Sequence, residues 1–250
     1  MDMLTIIFIL LLGVVSGSFG TLVGGAALFV VPILIFLGLP PKMAIATSRF
    51  GFAGVPISSL YGFRKKGLID IKLGLAITLS SLLGAVVGAN LLVALSEELV
   101  KRLVAIFIII ISVIMLFNQD AGLKRIVKKI TPSHYMIAIV LCFFVGIYGG
   151  LYGGGFAAFY NMIIILMFGK TFLESAATRK IPAIAIILSS IFIYFINGLI
   201  NFTYGLILLV TSTISAYYTA KYSHKISNLW LKRAFIAVII FMAIKLLIGS

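Results

Sequence analysis

Residues 17–25 read GSFGTLVGG and residues 146–155 read GIYGGLYGGG, and each of these glycine-rich stretches interrupts a long apolar run. The same landmarks follow both stretches at a constant spacing of 131 residues (177 minus 46), so that Ala46-Thr47 and Lys101-Arg102 recur as Ala177-Thr178 and Lys232-Arg233. The chain is therefore a duplicated unit. A duplication with a broken hydrophobic segment in each half is typical of secondary transporters, and the breaks mark the expected binding site.

The composition is that of a membrane protein. Hydrophobic residues make up 62% of the 250-residue chain, charged residues only 10%, and the mean hydropathy is +1.26. A soluble domain could not bury that much apolar surface. The apolar runs are continuous rather than alternating, which predicts an all-α helical bundle rather than a β-barrel. The net charge of +14 falls in short loops between the runs, which indicates membrane topology and no nucleic-acid partner.

Each half of the chain contains five apolar stretches, which are 4–18, 24–37, 45–62, 73–95 and 103–117, then 134–148, 154–168, 180–197, 203–220 and 234–248. The first two of each half are about 15 residues long, roughly 22 Å as helix and short of the ~30 Å hydrocarbon core. They are predicted to be half-helices of a re-entrant hairpin, or a pair of short tilted spans. We expect one transmembrane domain made of repeat 1 (1–117), a basic cytoplasmic linker (118–133) and repeat 2 (134–250).

The charges in the loops predict how the two repeats are inserted. A broken pair followed by three spans gives each repeat an odd number of crossings, so the copies would be antiparallel, an inverted repeat. In that arrangement 15 of the 20 basic residues lie inside, and the five outside are Lys42, Arg49, Lys101, Arg102 and Lys245. Because basic loops stay in the cytoplasm, this bias favours a multi-pass protein of the inner (cytoplasmic) cell membrane with both termini outside.

The glycine clusters are the first candidate for an anion site. A half-helix that begins after a break presents unpaired N–H groups and the positive end of its dipole. Glycine also lets the backbone approach a ligand closely. The candidate substrate-binding glycines are Gly20, Gly24, Gly25, Gly153, Gly154 and Gly155. The alternative is that these small residues only allow helices to pack closely.

Polar side chains at the start of the next span are the second candidate. They are Thr47, Ser48 and Arg49 in repeat 1, and Thr178, Arg179 and Lys180 in repeat 2. The threonine hydroxyls recur in both repeats and are predicted to line a pore. The cations either add positive charge to the site or snorkel to the membrane interface at helix ends. Asn161, inside an apolar run, either binds substrate or bonds to a neighbouring helix.

The residues that are absent narrow the function further. All six acidic residues lie at predicted membrane ends, so no carboxylate sits within a span to relay protons or sodium. The sequence has no catalytic motif or metal-ligand set, and we expect no enzyme activity, cofactor or metal. Export of a monoanion from a cell with an inside-negative potential gains about 2.3 kcal/mol per 100 mV, which favours an exporter without a coupling ion. A passive anion channel and a scaffold subunit remain alternatives.

The order of the motifs resembles a known family. A glycine-rich interruption, then Pro32, Gly38-Leu39 and Ala46-Thr47-Ser48, with a degenerate second copy after a basic linker, is similar to the TauE/SafE family of membrane permeases. The second copy departs from this pattern, with Arg179-Lys180 after Ala177-Thr178 and Asn161 or Ile163 in place of Pro32.

The resemblance implies a function and a set of contacts. The family is linked to the export of sulfite, sulfoacetate and related organosulfonates, so the expected partners are a small anionic substrate and the lipid bilayer. The sequence is also compatible with a homo-oligomer. The site residues that the resemblance implies are Gly20, Gly24, Gly25, Thr47 and Ser48, with Gly153, Gly154, Gly155 and Thr178 as their counterparts.

Overall fold

The chain is helical throughout the part that the structure describes. The computed structural model describes residues 3–22, 24–64, 67–117, 125–127 and 130–223. Within these ranges the helices are α1 (Met3–Leu22), α2 (Ala27–Phe36), α3 (Pro41–Gly51), α4 (Gly54–Phe63), α5 (Ile71–Ala94), α6 (Glu97–Phe117), α7 (Pro132–Leu151), α8 (Phe156–Phe168), α9 (Phe172–Thr178), α10 (Lys180–Ile196) and α11 (Phe202–Lys221). The predicted all-α fold is confirmed. The predicted span 234–248 and most of the linker 118–133 lie outside the described residues.

Four segments of the described chain are long and apolar enough to cross a membrane. They are α1, α5, α7 and the nearly continuous pair α9–α10, which covers Phe172–Ile196. Helices α2 and α8 are also apolar but have only 10 and 13 residues, about 15 and 20 Å of helix. These lengths and compositions agree with a multi-pass membrane protein.

The first helix of each broken pair is longer than the sequence predicts. Helices α1 and α7 have 20 residues each, about 30 Å, so the prediction of two half-helices per pair is wrong for the first member. Their glycines continue the helix and let a neighbour approach. A Cβ on Gly17 would lie 2.2 Å from the Ser212 carbonyl oxygen in α11, and one on Gly150 would lie 2.1 Å from the Ala85 carbonyl oxygen in α5. These upstream glycines serve close packing.

Within the described part of each glycine-rich stretch, the chain turns at the downstream glycines. Gly24 and Gly25 have φ of 81° and 84°, and Gly153 and Gly155 have φ of 75° and 79°. A residue with a Cβ adopts this left-handed conformation at a cost of roughly 1–2 kcal/mol. Each break therefore follows a long helix and precedes a short one, with a helix C-terminus and a helix N-terminus on its two sides.

The two copies of the sequence pack against each other in matching pairs. Helix α1 of repeat 1 packs on α11 of repeat 2, and α5 of repeat 1 packs on α7 of repeat 2. With the spacing of 131 residues, α7 is the counterpart of α1, and α11 is the counterpart of α5. The contact between α5 and α7 is therefore the same contact as that between α1 and α11, with the two repeats exchanged. The core is consequently built between the repeats rather than within each one.

Two hydrogen bonds show the same exchange at single-residue level. The backbone N–H of Asn201 donates to Thr47 Oγ1 at 2.9 Å, and the backbone N–H of Asp70 donates to Thr178 Oγ1 at 3.0 Å. Both threonine side chains are fully buried. Thr47 and Thr178 occupy equivalent positions, as do Asp70 and Asn201, which cap α5 and α11 through their side chains. We call these two contacts the reciprocal latches, because each ties a loop of one repeat to a helix of the other.

Replacing Thr178 by valine should lower the free energy of unfolding by about 1–3 kcal/mol, the cost of leaving the Asp70 amide without its acceptor. Thr78→Val is the matched control, since the Thr78 hydroxyl donates only to the Gly74 carbonyl one turn earlier in the same helix. Thermal unfolding of both variants in detergent compares them. Equal shifts would show that the latch adds nothing beyond the replacement of a helical threonine by valine.

Charged residues are paired at the ends of the bundle. Lys170 Nζ lies 2.7 Å from Asp70 Oδ2, and Arg125 Nη1 lies 3.6 Å from Glu174 Oε1. At a different set of helix ends, the Lys42 amide donates to Glu97 Oε2 at 3.0 Å. Partial burial alone would raise the pKa of Asp70, but the hydrogen bonds from Lys170 and the Leu73 amide outweigh it, so this pKa lies below its usual value. Residues predicted on one side of the membrane thus contact each other.

Candidate functional site

A cavity of about 60 Å³ lies where the two chain breaks meet. It is lined by residues of both breaks, of the start of α10 and of the α3–α4 region. The glycine and polar residues of this lining are Ser16, Gly20, Gly24, Gly25, Ser48, Arg49, Gly153, Arg179 and Lys180. One water needs roughly 10–15 Å³ of such space, so the cavity has room for a compact ion of about four or five heavy atoms. Both repeats contribute to this single site.

Three cationic side chains are buried at the cavity. Arg49, Arg179 and Lys180 are only 5%, 2% and 2% exposed. The interpretation that they snorkel to the membrane interface is therefore wrong. Removing them from the loop count leaves 13 basic residues inside and four outside, which keeps the bias described above.

Two of the three cations are held by carbonyl oxygens near the ends of helices. Lys180 Nζ donates to the Gly20 carbonyl at 3.1 Å, near the end of α1. Arg49 Nη2 donates to the Gly149 carbonyl near the end of α7, and its guanidinium lies 5.8 Å from the centre of the Phe156 ring. The negative ends of two helix dipoles thus stabilise cations supplied by the opposite repeat.

Arg179 has a different set of partners. Its Nε donates to Asn161 Oδ1 at 3.1 Å, and its Nη2 lies 3.4 Å from the Thr21 carbonyl oxygen. Asn161 is 3% exposed and lies in α8. The predicted role of Asn161 as a bond to a neighbouring helix is realised, since it fixes the guanidinium that opens onto the cavity.

No carboxylate accompanies these cations. None of the described residues that line the cavity is acidic. The ion pairs found in the described chain use Glu98, Glu174 and Asp70, each with a basic residue other than the three cavity cations. A buried charge without a counter-charge is strongly destabilising, so the cavity favours an anion that supplies the missing negative charge.

Backbone amides add to the positive character of the cavity. The Gly24 and Gly153 amides close α1 and α7 by donating to the carbonyls of Phe19 and Tyr148, both at 3.1 Å. Helical bonding in α2 begins with the Leu28 amide, and in α8 with the Ala158 amide. The amides just before these two have no backbone hydrogen-bond partner among the described residues, and they lie at helix N-termini at the cavity wall. Such groups bind oxyanions in other proteins.

The predicted site residues divide into two groups. Those that line the cavity are Gly20, Gly24, Gly25, Ser48, Arg49, Gly153 and Arg179. The others lie behind the lining, and among them Asn161 contacts Arg179. Thr47 and Thr178 do not line it, contrary to the pore-lining prediction, because their hydroxyls accept the latch hydrogen bonds. Gly154 accepts a hydrogen bond from the Tyr148 hydroxyl, and Gly155 precedes the first residue of α8. Both shape the second break behind the cavity wall.

Two features of the site were missed from the sequence. The sequence offers Lys180 as a cation near the site but does not assign it to substrate binding, although it occupies the position of Arg49 in the second repeat and lines the cavity. That equivalence is the signal that could have identified it. The single span predicted at 45–62 is in fact divided between α3 and α4, and Phe52, at this division, also lines the cavity.

Comparison with known proteins places the chain among membrane transporters. The sequence model of the family described as Sulfite exporter TauE/SafE matches residues 9–246. A probable membrane transporter protein of Haemophilus influenzae is 24% identical over 88% of this chain and 85% of its own length. YdhB of Bacillus subtilis is 25% identical (93% and 94% covered) and YfcA of Escherichia coli 24% (83% and 78%), and both carry the same description. No solved structure matches the chain.

Proposed function

This chain belongs to the TauE/SafE family of membrane transporters and not to a family of enzymes, and we propose that it exports a small sulfur-containing anion such as sulfite or sulfoacetate. The observation that carries the proposal is the burial of Arg49, Arg179 and Lys180 around one cavity whose described lining holds no carboxylate. Guanidinium groups match the planar edges of oxyanions with paired donors. The substrate supplies the counter-charge that the protein lacks.

The dimensions of the cavity support a compact substrate. Its volume of about 60 Å³ suits an ion with a single sulfur centre, such as sulfite, better than one with a carbon chain. A larger substrate such as sulfoacetate requires the walls to separate. The wall that moves most simply is a chain break, since α2 and α8 are short helices joined to their neighbours by glycines.

The reciprocal latches support an inverted repeat in the inner membrane. Antiparallel copies place the Thr47 latch near one face of the membrane and the Thr178 latch near the other, with both termini outside. Labelling by a membrane-impermeant thiol reagent tests this arrangement. Thr203→Cys should react from outside, and Lys72→Cys, at the equivalent position of repeat 1, should not. The background is low because Cys142 is buried. Reaction of both from the same side would contradict it.

Export follows from the charge of the site. The cavity lining, as described, offers no carboxylate to bind a coupling proton or sodium ion. An anion leaving an inside-negative cell moves down the electrical gradient and needs no coupled cation. Efflux from proteoliposomes should therefore increase when an inside-negative potential is imposed.

Anion binding by the purified protein is the direct test. A ligand present at 100 times its Kd raises the free energy of unfolding by about 2.7 kcal/mol. We expect sulfite, sulfate, thiosulfate or sulfoacetate to raise the unfolding temperature, and the zwitterion taurine to do so less. If none of these anions stabilises the protein, the anion-site proposal is wrong. Saturable flux stimulated by substrate on the opposite side would distinguish a carrier from a passive channel.

A further inference from the structure

The two repeats do not contribute equally to the cavity. Lys180 is the counterpart of Arg49, so each repeat provides one cation at this position. Arg179, however, corresponds to Ser48, and its partner Asn161 corresponds to Val30. Repeat 2 therefore carries one more positive charge than repeat 1, together with an amide side chain that repeat 1 lacks.

We infer that this third cation, Arg179 held by Asn161, makes the site select a doubly charged anion over a singly charged anion of the same shape. The inference rests on the proposed function of the cavity. It assigns Arg179 the discrimination between anion charges, whereas Arg49 and Lys180 supply the attraction common to all anions.

The geometry around Arg179 supports this assignment. The guanidinium is held on two sides, by Asn161 Oδ1 at 3.1 Å and by the Thr21 carbonyl at 3.4 Å. Arg179 lines the cavity and reaches the first chain break, since a Cβ on Gly24 would lie 3.4 Å from its Nη2. Asn161 does not itself line the cavity. It therefore acts by fixing the position of the guanidinium that does.

The charges at the cavity lead to the same conclusion. Each break brings together the negative end of one helix and the positive end of another, and these partial charges oppose each other. The three basic side chains are therefore the main source of positive potential on the described lining. The Coulomb energy is proportional to the charge of the ligand and is large away from bulk water. A second negative charge on the ligand thus adds more binding free energy here than it would in a site that contained only Arg49 and Lys180.

Arg179→Ser is the sharpest test, because serine is the residue that repeat 1 has at this position. Sulfate and methanesulfonate are matched probes, since both are tetrahedral and differ by one charge. Their Kd values are measured by calorimetry on the full chain in detergent at equal ionic strength. The wild type should prefer sulfate, and the variant should lose at least about tenfold of that preference, while methanesulfonate affinity changes less. The exposed Arg102→Ser is the control and should leave the ratio unchanged.

Asn161→Asp keeps the test decisive if Arg179→Ser does not fold. The aspartate has the same size and places a carboxylate next to a guanidinium that is still present, so it should also reduce the preference for sulfate. A ratio that stays at the wild-type value in the variant that folds would overturn the inference while leaving the proposed function intact. A wild-type protein that binds neither anion would instead refute the proposed function and the inference with it.

Discussion

Arg49→Met should reduce anion affinity at least roughly thirtyfold and bring transport close to background. The arginine is buried, donates to the Gly149 carbonyl and lies beside the Phe156 ring. Removing one member of a buried, hydrogen-bonded set of charges costs about 2–5 kcal/mol of binding free energy, which is a factor of about thirty or more. Calorimetry with sulfate and efflux from proteoliposomes measure the two effects.

Two variants make the Arg49 result interpretable. Arg102→Met removes an exposed arginine that pairs with Glu98 one turn away, and surface pairs of this kind contribute about 0–1 kcal/mol. It should bind and transport as the wild type does. Arg49→Lys keeps the charge without the planar fork and should retain part of the affinity. If Arg49→Met still bound sulfate with the wild-type Kd, the cavity would not be the anion site.

Gly153→Ala should abolish anion binding for a different physical reason. Gly153 has φ of 75°, and a Cβ there would lie 1.8 Å from Arg49 Nη2. The methyl group therefore displaces the guanidinium from the Gly149 carbonyl, in addition to a backbone strain of roughly 1–2 kcal/mol. We expect a lower unfolding temperature together with the loss of stabilisation by sulfate.

Gly198→Ala separates the two effects of the Gly153 variant. Gly198 has a similar φ of 66°, but no atom lies within 4 Å of the added Cβ. Because of the backbone strain, this control should also have a lower unfolding temperature than the wild type. Sulfate should still raise that temperature. Anion binding by Gly153→Ala as strong as that of Gly198→Ala would show that the position of the Arg49 guanidinium does not matter for binding.

The sequence predicts the site better than it predicts the helices around it. Repeated glycines and the basic residues after Thr47 and Thr178 indicate most of the glycine and polar residues that line the cavity. A break in a membrane helix is tolerated only where it is buried in protein or lines a cavity. Helix lengths were less predictable. Gly17 and Gly24 are both glycines near a break, yet one packs against α11 within a helix and the other turns the chain. Only the position of the neighbouring helix distinguishes them.

The threonines show a second limit of sequence-based prediction. Their recurrence in both repeats correctly indicated that the position matters, but recurrence does not specify the partner. The partners are the backbone amides of Asp70 and Asn201, which lie 108 and 154 residues away in the sequence. Each partner belongs to the other repeat. A hydroxyl that accepts a backbone hydrogen bond across the bundle and a hydroxyl that contacts a substrate give the same sequence pattern.

The reciprocal latches also determine where an energetic difference between the two directions of transport can arise. If the two copies interchange their shapes during each cycle, the main-chain contacts before and after are equivalent, and their energies cancel. The difference then resides in side chains that have diverged. Asp70 is paired with Lys170 at one latch, whereas the corresponding positions at the other are the uncharged Asn201 and Leu39. A nearly symmetric fold can therefore favour one resting orientation over the other, and this ion pair is one of the diverged contacts that contribute to the difference.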